Sequence, residues 1–228
     1  MAANQGVIEM KTKSLGFSAI VAAFTAVLML GGGTAQAATC SVPSVAYPTI
    51  QAAVNDPNCN PINVAPGLYP ENVTIGRTLT LNGAQAGNPV AGRTFGSPSE
   101  STVTGTTPTG AVPVFKVTAL NVTIDGFSVM NSVAFGAAIG IGIKVTGSGA
   151  LVTNNIIDTV TTPDTGGNGT AQAIYLEAGP ENVIILGNEM NKVHSNRSAK
   201  GVLIGDSSST EPSKNIFRRE YDFEHNER

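Results

Sequence analysis

The residues with which this chain could do chemistry are few. Charged residues make up 13% of it, about half the usual share for a soluble domain. Asp158, Asp164, Glu177, Glu181 and Glu189 are followed closely by Lys192, Arg197 and Lys200. Two carboxylates flanking a glycosidic bond hydrolyse it, one as acid and one as base or nucleophile. A carboxylate cluster holding Ca²⁺ beside an Arg or Lys base would instead suit eliminative cleavage of an acidic glycan. Neither set is complete. The position expected to recur on the outer face reads Asn82, Thr104, Asp125, Thr153 and Leu186, and only Asp125 is acidic. His194 and His225 are the only histidines. Ser195 beside His194 lacks the third member of a nucleophilic triad, and the ligand count is too low for a metal centre. No catalytic residue, no metal site and no cofactor is therefore expected. A binding role has softer support. Asp125, Asp158, Tyr175, Glu177 and Arg197 are the candidate glycan contacts, with Tyr175 as the aromatic platform. Asn121, Thr123, Asn131, Ser132 and Asn154 supply amides and hydroxyls that can meet sugar hydroxyls, as the solvated face of any β protein also would.

These residues sit on a repetitive scaffold. Short β-rich pieces recur: Ile62-Asn63-Val64, Val73-Thr74-Ile75, Leu79-Thr80-Leu81, Val122-Thr123-Ile124 and Val183-Ile184-Ile185. A three-residue pattern of apolar, variable, then Gly or Asn occurs as Leu81-Asn82-Gly83, Val103-Thr104-Gly105, Ile124-Asp125-Gly126, Val152-Thr153-Asn154 and Ile185-Leu186-Gly187. The intervals suit one coil of a solenoid, the longer ones carrying an inserted loop near 161–170. Units that cannot bury their own apolar side bury it by stacking. Alternation places Val122 and Ile124 inward and Thr123 and Asp125 outward. Gly or Asn then supplies the bent backbone of the turn, and Asn154, Asn155 and Asn188 are placed to hydrogen-bond turn backbone in neighbouring coils. Ahead of the repeat, Thr49 is a candidate N-cap for a short helix whose Ile50, Ala53 and Val54 share one face. The expected fold is all-β: a single-stranded right-handed parallel β-helix of roughly six coils with a short N-terminal capping helix. A β-sandwich explains the recurrence less well, and the lack of helices between strands excludes a standard α/β fold.

Two stretches carry a resemblance. Tyr47-Pro48-Thr49-Ile50-Gln51-Ala52-Ala53-Val54, and Ile62-Asn63-Val64-Ala65-Pro66-Gly67-Leu68-Tyr69-Pro70-Glu71-Asn72-Val73-Thr74-Ile75 followed by Leu79-Thr80-Leu81-Asn82-Gly83, resemble the opening of pectin lyase-like right-handed β-helix proteins. The resemblance spans about residues 45–207. It implies the fold, with Pro66-Gly67 turning, Tyr69 and Val73 packing and Glu71 facing out. It does not fix an activity, because that superfamily holds lyases, hydrolases, esterases, adhesins and members without known activity, and fold does not carry function. The acid patterns of its polygalacturonases are absent; Asn154-Asn155-Ile156-Ile157-Asp158 is the nearest echo.

The termini frame the scaffold. Lys11 and Lys13, an apolar run over residues 15–30, three glycines and Ala35-Gln36-Ala37 read as a signal peptide, 1–37. The run is short for a membrane span, so no membrane insertion is expected after cleavage. Removal of 1–37 leaves 11 basic and 15 acidic residues, net −4, and with no basic run nucleic acid is excluded as a partner. Cys40 and Cys59, the only cysteines, are expected to pair in an exported chain and staple an N-terminal cap, 38–60. The β-helix is expected over 61–207, and a charged tail over 208–228. Either that tail caps the stack through Ile216, Phe217, Tyr221 and Phe223, or the chain is a shortened form of a longer one. An open coil end exposes strand edges and invites self-association. The functional expectation is a secreted or extracytoplasmic β-helix protein, non-enzymatic, with polysaccharide as the candidate partner. The alternatives are a lyase or hydrolase acting on uronic-acid glycans and a self-associating envelope protein.

Overall fold

A computed structural model describes residues 37–106, 112–132, 139–162, 169–205, 216–218 and 221–222. The signal peptide expectation, Asp164, His225 and most of the charged tail lie outside these residues.

The chain winds through three parallel sheets in turn. After β1 (Ala38–Val42), the first coil is β2 (Cys59–Val64), β3 (Gly67–Pro70) and β4 (Val73–Ile75). The second is β5 (Thr80–Asn82), β6 (Ser101–Thr104) and β7 (Phe115–Val117). The third is β8 (Thr123–Asp125), β9 (Phe127–Ser132) and β10 (Ile139–Val145). The fourth is β11 (Leu151–Thr153), β12 (Ile156–Thr161) and β13 (Thr170–Leu176). The fifth is β14 (Ile184–Leu186), β15 (Glu189–Asn191) and β16 (Ser198–Ile204). Two further strands, β17 (Ile216–Arg218) and β18 (Tyr221–Asp222), pair with β14 and β15. Sheet 1 is thus β1-β2-β5-β8-β11-β14-β17, sheet 2 is β3-β6-β9-β12-β15-β18, and sheet 3 is β4-β7-β10-β13-β16. This is the single-stranded parallel β-helix expected from the repeat. Ile216, Phe217 and Tyr221, expected as cap residues, fall on strands that continue the stack.

The core is a set of in-register apolar ladders. In sheet 1, Ile62, Leu81, Ile124, Val152 and Ile185 stack in line and all are fully buried. In sheet 2 the inward ladder is Tyr69, Val103, Val129, Ile157 and Met190. Val103 therefore does not belong with Leu81 and Ile124, where its three-residue pattern placed it. Thr104 likewise leaves the outward row, which reads Asn63, Asn82, Asp125, Thr153 and Leu186. A short apolar-x-Gly string says that a strand ends in a turn, not which of three sheets it joins. The coil from Leu81 to Ile124 instead carries an insertion over residues 83–100.

The turn chemistry follows the sequence elsewhere. Gly126, Asn154 and Gly187 have positive φ of 77°, 51° and 65°, the left-handed region that Gly and Asn tolerate. At Gly126 there is a second requirement: a Cβ would overlap the backbone of Gln85 and Ala86 in the insertion. Just past the turns, Asn155 and Asn188 are fully buried and form a ladder. Asn155 Nδ2 donates to Ile124 O (3.1 Å) and to Asn188 Oδ1 (3.0 Å), and Asn188 Nδ2 donates to Val152 O (3.0 Å). Phe127 N and Asn155 N donate to Asn155 Oδ1 and Asn188 Oδ1, each at 3.0 Å.

The N-terminal end is closed by α1 (Ile50–Asn55), which buries Ile50, Ala53 and Val54. Thr49 Oγ1 accepts from Ala52 N at 3.1 Å. Glu71, expected simply to face out, has a second role: its carboxylate accepts from Ile50 N (2.9 Å) and Gln51 N (3.0 Å), taking up orphan donors of the first turn. Gln51 substitutes for a strand at the edge of β4, accepting from Thr74 N and donating to Thr74 O. Arg77 donates to Val54 O and Cys59 O at the other end of α1. Cys40 and Cys59 are disulfide-bonded, joining β1 to β2 at the foot of the stack.

Candidate functional site

The five candidate contacts are spread over all three sheets. Asp125 ends β8 in sheet 1 and is spent on turns: Asn154 Nδ2 and Gly87 N both donate to its carboxylate at 2.9 Å. Asp158 lies on β12 in sheet 2, is 4% exposed, accepts from the Thr159 hydroxyl and pairs with Lys192 at 3.3 Å. Arg197 is exposed ahead of β16. Only Tyr175 and Glu177 are brought together, at the end of β13 in sheet 3. No group of three metal-ligating side chains occurs among the described residues.

A residue overlooked in the sequence makes that link. Lys144 on β10 stands directly opposite Tyr175, with Nζ 5.3 Å from the ring centroid, within cation–π range. The same Nζ is 3.0 Å from Glu177 Oε1. Lys116 on β7 precedes Lys144 in the ladder, which reads Thr74, Lys116, Lys144, Tyr175 and Leu203 from β4 to β16. These side chains alternate with buried neighbours: Phe115 and Val117 flank Lys116, Ile143 and Val145 flank Lys144, and Ile174 and Leu176 flank Tyr175. Each outward side chain is thus fixed to one face by its inward neighbours. The signal was present in the triplets Phe115-Lys116-Val117, Ile143-Lys144-Val145 and Ile174-Tyr175-Leu176, but seeing it requires knowing that the three strands share a sheet.

Like charges in register repel. Lys144 is relieved by Glu177 and by the Tyr175 face, whereas Lys116 is exposed and makes no ion pair among the described residues. The strip therefore offers one compensated cation, one open cation and an aromatic ring in a row along the stack.

No family model, curated protein or solved structure matches this chain. The repeating parallel sheets are consistent with the right-handed β-solenoids. Among the described residues no helix is long and apolar enough to cross a membrane.

Proposed function

We propose that this protein is an exported, non-enzymatic β-helix scaffold that binds an anionic polysaccharide along the outer face of sheet 3. The observation that carries the reading is the register of Lys116, Lys144 and Tyr175. Neighbouring strands in a sheet lie about 4.8 Å apart, so an extended glycan lying along the stack meets cation, cation and ring in succession. Its carboxylates relieve the Lys116–Lys144 repulsion, and the apolar side of a sugar ring rests on Tyr175. The disulfide agrees with an oxidising, extracytoplasmic compartment. The engagement of Asp125 and Asp158 by turn amides, hydroxyl and lysine supports a binding role over acid–base chemistry.

Polygalacturonate and alginate, titrated into the purified chain at low and high salt, test this reading. Binding is expected to weaken as salt rises, and Lys116→Gln with Lys144→Gln is expected to lower affinity roughly tenfold, each exposed ionic contact contributing up to about 1 kcal/mol. Turnover of either polymer, with or without Ca²⁺, would sink the non-enzymatic reading; affinity unchanged in the double variant would sink the sheet 3 site.

A further inference from the structure

The insertion over 83–100 builds a groove that the sheet 3 site does not use. It folds over the outer face of sheet 2 and is firmly anchored there. Arg93 Nε and Nη2 hold Glu100 Oε1 and Oε2 at 3.0 and 2.8 Å, with the Glu100 side chain fully buried. Arg93 Nη1 also donates to Asn154 O at 2.6 Å, and Ser128 Oγ donates to Glu100 Oε2 at 3.1 Å. Gln85 Nε2 donates to Ser99 O at 2.8 Å. The wall so formed leaves a groove of about 390 Å³ between itself and sheet 2, within the range of small-molecule sites. Phe95, Ser97 and Pro98 line it from the insertion, and Leu68, Thr102 and Thr104 from the sheet.

Two features of this lining point to a ligand. Thr102 lines the groove, and its hydroxyl makes no hydrogen bond among the described residues yet is open to solvent there, since the buried side-chain polar atoms without a partner among those residues are Thr162 Oγ1 and Gln172 Oε1. A hydroxyl left unpaired at the groove wall is free to bond a ligand, whereas Thr153, with the same residue exposure, donates to Leu186 O at 2.9 Å. Leu68, in register with Thr102 on the adjacent strand, is 68% exposed, an apolar surface beside an unpaired hydroxyl. Charge is missing from the remainder. No Lys or Arg side chain lines the groove, and Glu100, its one acid, has both oxygens taken up by Arg93 and Ser128. An anionic ligand would be desolvated there without a partner.

We propose that this groove is a binding subsite for a neutral pyranose ring, with the apolar side of the ring on Phe95 and Leu68 and its hydroxyls on Thr102 and Thr104. It goes beyond the sheet 3 reading and does not rest on it. The experiment is calorimetric titration of the full chain with neutral tetrasaccharides built from glucose, mannose, xylose and N-acetylglucosamine, alongside tetragalacturonate. At least one neutral tetrasaccharide is expected to bind. Thr102→Val, which keeps the shape and removes the hydroxyl, is expected to weaken it about fivefold, the value of one hydrogen bond. Thr102→Ser restores binding, and Lys144→Gln leaves it unchanged. Failure of every neutral tetrasaccharide to bind overturns the proposal, as does wild-type affinity in Thr102→Val. Loss of neutral binding in Lys144→Gln also overturns it, since the ligand would then lie on sheet 3. Tetragalacturonate binding that depends on Lys144 and not on Thr102 bears on the sheet 3 site alone, so the two readings fail separately.

Discussion

Asn155→Ala should be among the most damaging single changes in the stack. Asn155 is fully buried, and its amide holds three partners in two neighbouring coils: Phe127 N, Ile124 O and Asn188 Oδ1. Truncation leaves the Phe127 N–H buried without an acceptor, which costs about 1–3 kcal/mol, and removes two further bonds worth about 0.5–1 kcal/mol each. The total is a loss of about 2–5 kcal/mol. Asn82→Ala is the matched control, because its amide makes one exposed bond to Asn63 Oδ1 and its loss should cost about 0.5 kcal/mol or less. Urea unfolding followed by circular dichroism reads the global difference. Coils of a repeat protein can unfold separately, so hydrogen exchange at the Phe127 amide provides the local reading. A stability within about 0.5 kcal/mol of wild type, with unchanged protection at Phe127, would refute the claim that the ladder joins the coils.

Reduction of Cys40–Cys59, which closes a loop of 19 residues, should lower unfolding stability by about 3 kcal/mol in the chain-entropy description. Unfolding curves with and without reductant measure this; equal midpoints contradict it. The Tyr47 hydroxyl donates to Asp56 Oδ2 at 2.6 Å. That bond holds the Asp56 carboxyl below the usual carboxylate range, helped by the Asn58 amide, and raises the Tyr47 hydroxyl above the usual phenol value. The Asp56 contribution is present above the ordinary carboxylate pKa and is lost as pH falls through its lowered folded value; the Tyr47 contribution is present below the ordinary phenol pKa and is lost as pH rises through its raised one. The stability difference between wild type and Tyr47→Phe should therefore be flat around neutrality and shrink at both extremes. A difference that stays constant from acid to alkali would rule this out.

Much of the architecture was legible because each of its rules is local. Alternation along Val122-Thr123-Ile124-Asp125, the Thr49 cap, the left-handed turn at Gly126, Asn154 and Gly187, and the Asn155 and Asn188 amides need only a few consecutive residues to specify them. Val103-Thr104-Gly105 obeyed the same rule and was nonetheless misplaced, because the rule carries no sheet label. The candidate site was read less well for a related reason. Asp125 and Asp158 were conspicuous as acids, but acidity does not reveal that Asn154, Gly87, Thr159 and Lys192 already occupy them. Lys116 and Lys144 were inconspicuous as isolated lysines 28 positions apart, and the insertion over 83–100 went unread because the interval from Leu81 to Val103 passed for one ordinary coil.

The sequence by itself determined the kind of stack, the end that α1 and the disulfide close, and the side of each strand that faces inward, since the pleat and the left-handed turn are set by neighbouring residues. Tertiary structure alone decided which strands stand beside one another. That choice depends on how many residues each turn absorbs before the chain returns to the same sheet, and the turns here differ widely in length. It placed Lys116, Lys144 and Tyr175 in one row, and it laid Phe95 across from Thr102.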